Sequence, residues 1–286
     1  MFLENENTIK NALFVSGAHP KGIGIKIVIH GYAQSRNSET MIRLRQEYFI
    51  NNKKWNVLYI DFEKLAQDYC YVQLFESVPI IGKCASQFLR LLVQLRPDIT
   101  CDQLDVLAFS IGCHVAAETS NNFPLRIPNS SIQPLPTDCF SRIIGNDPAS
   151  PLFYKNLVTV QNKLNKQHAK FVMAIHTTVL VGVISSQAHV DAYANNSIHQ
   201  PGCGYTDLRC SHLRALLYFI ESINSNVGFT ATKCDYFIPV VGKCAVLGDN
   251  TIRVGEPCKA VQEKDQGNYV FNTNEKPPFA KSVTNL

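Results

Sequence analysis

Three residues, taken in chain order, have the types and settings that acyl transfer needs: Ser110, Asp147 and His212. A serine hydroxyl is a weak nucleophile near neutral pH. It becomes effective when a histidine takes its proton and a carboxylate fixes the tautomer of that histidine. Ser110 lies in Ala108-Phe109-Ser110-Ile111-Gly112, directly after a strand pattern whose apolar residues are Leu104, Val106 and Leu107. Only small side chains fit where a strand turns sharply into a helix, and Ala108 and Gly112 stand at those two positions. Asp147 precedes Pro148 and follows the short predicted strand Arg142 to Asn146, so it is expected at a strand end. His212 stands in Cys210-Ser211-His212-Leu213, at the start of a helix pattern. Each has a bland alternative: an ordinary strand-to-helix turn, a solvated turn aspartate, a surface or core histidine. Their order and spacing join them into one Ser-Asp-His constellation. The oxyanion of the tetrahedral intermediate would need two N–H donors. The residue after the serine, Ile111, supplies one, and Tyr32 in the His30-Gly31-Tyr32 loop is the candidate for the other. His114, His176 and His189 are read as structural hydrogen-bonding residues.

These residues must be held by strands and helices that alternate. Ile23 to Ile29 and Asn56 to Phe62 read as buried strands. Glu39 to Asn51 carries helix-spaced apolar positions, and Ser77 to Leu95 is a long helix pattern stopped by Pro97. The strand ending at Ser110 leads into a helix over Gly112 to Ser120, and a proline-rich connection spans Asn121 to Cys139. Lys170 to Ile175 is a further strand, ending at His176. His212 to Ile223 opens the last helix. This alternation predicts βαβ units and a mainly parallel central sheet flanked by helices, an α/β class. Ser, then Asp, then His is also the order of the α/β-hydrolase fold. The tail from Asn224 is shorter in its rhythm and contains an extended stretch at Asn268 to Thr273. It reads as a disulfide-stapled appendix on the same domain. The expected organisation is an N-terminal segment over 1–22 and a single domain over 23–286.

Composition narrows the functional classes. The 286 residues are 45% hydrophobic, enough for a sizeable core, and the net charge is +4. No lysine-arginine cluster of the kind nucleic acid needs is present. The longest apolar run, Phe171 to Ile184, is about 14 residues and is too short to span a bilayer. Ten cysteines are many for a reducing compartment. None forms a paired C-x-x-C zinc pattern. Cys203 and Cys210 bracket one short loop and Cys234 and Cys244 another, a spacing that favours two local disulfides. Two Asn-x-Ser sequons, at Asn129 and Asn195, are compatible with secretion. Met1 to Asn7 is acidic and lacks the apolar stretch of a signal peptide.

The ordered motifs resemble the pancreatic-lipase-like family, and within it the arthropod secreted lipases and venom phospholipases A1. The resemblance rests on Ile29-His30-Gly31-Tyr32, Asn56 to Phe62, the Ser110 turn, Asp147-Pro148-Ala149, His189-Val190-Asp191, and Gln200-Pro201-Gly202-Cys203 followed by Cys210-Ser211-His212. It runs from about Ile23 to Ala280. It implies that Ser110 is the nucleophile, Asp147 the acid and His212 the base, and that Cys203–Cys210 closes the lid loop. Only Gly204 to Arg209, six residues, lie between those cysteines. Triglyceride-hydrolysing relatives carry a longer lid, so the resemblance points to the phospholipase A1 type. The family's C-terminal β-sandwich, N-terminal region and signal peptide are not in this sequence. Asn146 stands where a leucine is usual, Cys113 where an alanine is usual, and Asp191 to Ser197 departs from the family pattern. The resemblance assigns no partner to Cys70, Cys84, Cys101, Cys113, Cys139 or Cys258.

The sequence therefore predicts a monomeric, secreted serine ester hydrolase acting on phospholipid or other glycerolipid at a membrane or lipid surface, most specifically a phospholipase A1. It predicts no metal, cofactor or nucleic-acid partner. A triacylglycerol lipase or carboxylesterase on the same triad is the second enzyme reading. A catalytically silent lipid-binding or yolk-like storage protein on a lipase scaffold is the non-enzyme reading.

Overall fold

The structure is a computed structural model. It describes residues 24–50, 55–66, 70–96, 99–123, 139–153, 163–183, 185, 187–234, 236–238, 243–245 and 249–281. The sequon at Asn129 and the segment 1–22 lie outside them.

Among the described residues there are eleven strands: β1 (Ile25–Ile29), β2 (Asn56–Ile60), β3 (Leu104–Phe109), β4 (Arg142–Asn146), β5 (Phe171–His176), β6 (Val190–Ala194), β7 (Phe229–Cys234), β8 (Tyr236–Ile238), β9 (Lys243–Ala245), β10 (Thr251–Val254) and β11 (Gly267–Phe271). The helices are α1 (Glu39–Phe49), α2 (Glu63–Ala66), α3 (Tyr71–Leu95), α4 (Gly112–Asn122) and α5 (Leu208–Ser222). Nine strands form one sheet in the order β10-β7-β11-β6-β5-β4-β3-β1-β2. Pairing from β2 through to β11 is parallel throughout, and β7 runs against both of its neighbours.

The expected α/β architecture is therefore present, with differences that have physical causes. The helix read from Ser77 starts at Tyr71 and runs through Pro79. Its buried positions Leu74, Phe75, Val78, Ile81, Ala85 and Leu89 keep a helical stripe across the proline, so packing overrides the one missing N–H. The tail from Asn224 is more than an appendix. Only the β8–β9 hairpin, stapled by Cys234–Cys244, stands outside the main sheet, while β7, β10 and β11 extend it. β6, which sequence reading leaves unassigned, is fully buried between β5 and β11.

Each strand feeds two apolar layers by alternation. On β3, Leu104, Val106 and Ala108 face the layer under α3 and α4, while Leu107 and Phe109 face the layer under α1 and α5. A third disulfide, Cys101–Cys139, joins the chain just before β3 to the chain just before β4.

At the amino ends of β1, β3 and β4 lies a buried charge network. Lys26 is 1% exposed and contacts Asp105 at 2.7 Å and Glu256 at 2.6 Å. Arg142 also pairs with both acids, at 2.6 and 3.2 Å. Tyr48 donates to Glu256 at 2.9 Å. Loss of one acid here leaves a buried cation underpaired, and such losses cost about 3–5 kcal/mol. Because Glu256 still contacts both cations, Asp105→Ala is expected at the low end, about 3 kcal/mol less stable in urea unfolding. A change below about 1 kcal/mol would show that the network is solvated.

Candidate active site

The chain order of strands locates the site. From β1 the chain steps to β2 on one side and then to β3 on the other, so the β1 and β3 carboxyl ends flank a crevice. Ser110 follows β3 and Tyr32 follows β1. Ser110 has φ of 56°, a left-handed conformation that a non-glycine residue adopts at a cost. Its N–H donates to the Asn146 carbonyl at 3.0 Å, and its own carbonyl accepts from Cys113 N–H at 3.0 Å, closing the turn into α4. Gly112 lies so close to β1 that a Cβ would meet the His30 carbonyl oxygen at 2.4 Å. Likewise a Cβ on Gly31 would stand 3.0 Å from the Ser110 Cβ. The loop bearing Tyr32 is thereby packed against the serine turn. Among the described residues, neither the Tyr32 nor the Ile111 N–H has a hydrogen-bond acceptor.

Asp147 is fully buried and also left-handed, with φ of 45°. Its Oδ1 accepts from the N–H of Thr177 at 2.7 Å and of Thr178 at 3.3 Å. Its Oδ2 accepts from the Thr178 hydroxyl at 3.1 Å and from His212 Nδ1 at 2.6 Å. That last bond puts the imidazole proton on Nδ1 and leaves the Nε2 lone pair free to act as base. The His212 ring leans on Phe109, with centroids 4.7 Å apart. Nε2 is buried and has no partner among the described residues, so no Ser110–His212 hydrogen bond is formed in this resting geometry. Serine–histidine bonds commonly tighten only when substrate is bound. The structure thus joins Asp147 to His212 directly and sets Ser110 beside Phe109, the residue on which that imidazole rests.

The other histidines each meet a defined need. His114 donates through Nε2 to the Ala149 carbonyl at 2.8 Å, accepts from Leu164 N–H at 3.3 Å, and stacks on Phe153. Burial lowers its pKa to about 4, so it stays neutral and pins the turn after Asp147. His189 accepts from Val172 N–H through Nδ1. His176 differs. Its Nδ1 faces the Val183 carbonyl at 2.7 Å and its Nε2 faces Asp191 Oδ1 at 2.8 Å. Both partners are acceptors, an arrangement in which an imidazolium satisfies both by donating from each nitrogen. Burial opposes that charge, but the hydrogen bond and charge of Asp191, with help from Asp147, raise the pKa. The pair immobilises the strand end that carries Thr177 and Thr178.

Several expectations change. Asn195, half of a sequon, is committed inside the fold: its Nδ2 donates to Gln200 Oε1 at 2.7 Å and Thr273 Oγ1 at 2.9 Å. Ser197, the other half, is buried and donates to the His176 carbonyl. This sequon is unavailable to a glycan. Asn195, Asn196 and Ser197 all have positive φ. Cys101 and Cys139, unassigned by sequence, are paired, while Cys70, Cys84, Cys113 and Cys258 are free. Cys113, directly behind the serine turn, is held as a thiol by burial. Cys203–Cys210 is present, 5.6 Å between Cα atoms, and within its loop Asp207 accepts from Cys210 N–H to cap α5. Sequence reasoning missed Thr177 and Thr178, whose placement beside Asp147 depends on the pairing of β4 with β5.

A model of the lipase family matches residues 4–279. Lipase member H of Danio rerio is 25% identical over 274 residues, covering 89% of this chain and 56% of that protein. A phospholipase A1 of Polybia paulista is 28% identical over 208 residues, covering 70% of this chain and 61% of that protein. The chain thus spans little more than half the length of the curated relatives it matches. Among solved structures, an acetyl ester-xyloside bifunctional hydrolase from Caldicellulosiruptor lactoaceticus is 15% identical, with a TM-score of 0.39 over 58% of this chain and 65% of that one. No described helix is long and apolar enough to cross a membrane. With the family model covering nearly its whole length, the chain belongs to the lipase family.

Proposed function

We propose that this chain hydrolyses acyl esters of glycerolipids by a serine acyl-enzyme route, and that its preferred reaction is removal of the sn-1 acyl chain of phospholipids. The observation that carries the reading is the 2.6 Å Asp147–His212 bond, set behind a serine held in a strained turn at the N-terminus of α4. Ser110 Oγ attacks the ester carbonyl as His212 Nε2 takes its proton. Asp147 keeps the tautomer and stabilises the imidazolium. The carbonyl oxygen becomes an oxyanion held by the Tyr32 and Ile111 N–H groups, next to the positive end of α4. Collapse of the intermediate expels the alcohol of the glycerolipid, which receives the proton from His212. Water then repeats the sequence, releasing the fatty acid and restoring Ser110.

The finer assignment draws on the loop inside Cys203–Cys210. Six residues tied at both ends cannot cover the crevice, which leaves room for a polar headgroup. A lipid surface as partner is supported by the exposed Tyr205 on that loop, 85% accessible, and by Leu180 on the β5–β6 connection, 65% accessible. Three disulfides support an oxidising, extracellular setting. The relatives named phospholipase A1 and lipase member H agree with this class of substrate.

Ser110→Ala is expected to fold normally and to lose esterase activity by several orders of magnitude, on the order of 10³-fold or more. A fluorophosphonate probe should label wild type at Ser110 on peptide mapping. Folded wild-type protein that takes no label would favour a silent lipid-binding protein. A Cβ on Gly182 would meet Asp147 Oδ1 at 2.5 Å, where the carboxylate cannot yield without losing the Thr177 bond. Gly182→Ala should slow probe labelling by roughly tenfold or more, since small misplacements are costly in catalysis. An unchanged labelling rate would show that the loop moves instead. On matched mixed micelles, phosphatidylcholine should be cleaved faster than triolein. The reverse ratio would return the assignment to a triacylglycerol lipase.

A further inference from the structure

The Asp147–His212 bond joins two parts of the chain that do not touch by regular pairing. Asp147 is held by the chain after β5. His212 is held by α5, which follows the disulfide loop. Gln200 stands between them. It is fully buried, and all of its side-chain hydrogen-bonding capacity is used. Nε2 donates to the Thr177 carbonyl at 3.0 Å and to the Ala194 carbonyl at 2.8 Å. Oε1 accepts from Asn195 Nδ2 at 2.7 Å and from the Tyr218 hydroxyl at 3.0 Å. Its backbone N–H donates to the Ser211 hydroxyl at 3.1 Å. Two carbonyls on one side and two donors on the other fix the orientation of the amide without ambiguity.

Two of these partners flank the reacting pair. Thr177 gives its N–H to Asp147 Oδ1, and its carbonyl to Gln200. Ser211 precedes His212 and gives its oxygen to the N–H of Gln200. A continuous path therefore runs from the Asp147 carboxylate through Thr177, Gln200 and Ser211 to His212. It is a second link between the same two residues, parallel to the 2.6 Å bond itself. Tyr218, seven residues beyond Ser211 on α5, ties Gln200 to the later part of that helix. The strained stretch Asn195 to Ser197 is anchored to the same amide and to the His176 carbonyl. A polar side chain of this size is costly to bury unless every bond is made, and here every bond is made, one of them to Thr177 beside Asp147 and one to Tyr218 on the helix of His212.

We propose that Gln200 is a positioning residue for catalysis: it sets the distance and angle between the Asp147 carboxylate and the His212 imidazole. This rests on the proposed triad, and it concerns the base rather than the substrate. Gln200 touches no reacting atom. It acts through Thr177 on the carboxylate and through Ser211 on the helix that carries the base. Without it the 2.6 Å bond lengthens, and His212 loses its fixed tautomer and basicity.

The test compares Gln200→Met with wild type, using Tyr48→Phe as a stability control. Tyr48 lies in the charge network at the far end of the sheet, so that variant should lose stability and keep its kcat. On a soluble p-nitrophenyl ester, Gln200→Met is expected to lose kcat by about 10–100-fold, with KM within about twofold. Fluorophosphonate labelling of Ser110 should slow by a similar factor. The readout free of turnover is the far-downfield proton resonance of His212 Nδ1–H in the full chain. It should shift upfield or broaden in Gln200→Met and stay in place in Tyr48→Phe. If Gln200→Met does not fold, Ser211→Ala, which removes only the hydroxyl that accepts from the Gln200 N–H, should give a smaller loss of kcat and a smaller shift. Wild-type kcat together with an unmoved resonance in a folded Gln200 or Ser211 variant would overturn the proposal. A silent wild type whose resonance still responds to Gln200→Met would instead overturn the hydrolase reading and leave the positioning role standing.

Discussion

A carboxylate without water is the constraint from which much of this structure follows. Asp147 is completely buried, and an ion in that position must be surrounded by donors. It has four: two backbone N–H groups, one hydroxyl and one imidazole. Three of the four come from two consecutive threonines at the end of β5, and they exist only because β5 pairs in parallel register with β4. The fourth comes from α5 and is the imidazole that would act as base. Satisfying Asp147 and orienting His212 are therefore one structural requirement.

The two ends of the sheet show the same physics put to different use. At the amino ends, Lys26 and Arg142 meet Asp105 and Glu256 in a closed set of opposite charges with no atom left over to react. Such a network fixes strand register and the path of the chain at Glu256. At the carboxyl ends the networks are not saturated: among the described residues Asn146 Oδ1 and Thr177 Oγ1 are buried without a partner, and so is one atom of the His212 ring. Among the described residues, the buried imidazole nitrogen of His212 that faces away from Asp147 has no partner. A buried polar atom left unpaired is unfavourable in a resting protein, and in the proposed reaction this nitrogen is the one that takes the serine proton.

What could be read from the sequence follows this division. The turn around Ser110, Asp147 before its proline, and His212 at a helix start are local patterns: a few adjacent residues reveal backbone geometry and residue chemistry together. The alternating strands and helices are also local, and the α/β class followed from them. The partners of Asp147 were not legible, because Thr177 and Thr178 acquire their roles only by lateral pairing of strands 30 residues apart in sequence. The Cys101–Cys139 bridge is hidden for the same reason, since its two cysteines are brought together by β3 and β4 lying side by side. The tail reads from its rhythm as an appendix on the same domain, and that rhythm does not reveal that β11 inserts between β6 and β7 and buries Tyr269 and Phe271. The sequon at Asn195 is a motif whose chemistry is cancelled by its surroundings.

The histidines show how one residue type is divided among tasks by its partners alone. His114 has one donor and one acceptor as neighbours, so a neutral ring satisfies both and burial holds it neutral. His176 has two acceptors, which a cation satisfies at both nitrogens, and although burial opposes that charge the neighbouring Asp191 raises its pKa. Among the described residues, His212 has one acceptor and no second hydrogen-bond partner. A neutral ring satisfies the bond to Asp147, and the remaining lone pair is stabilised only when a proton arrives. Of the three rings, His212 alone combines an oriented proton on one nitrogen with an unengaged lone pair on the other. A general base needs that combination, and here it is produced by the count of donors and acceptors around each ring.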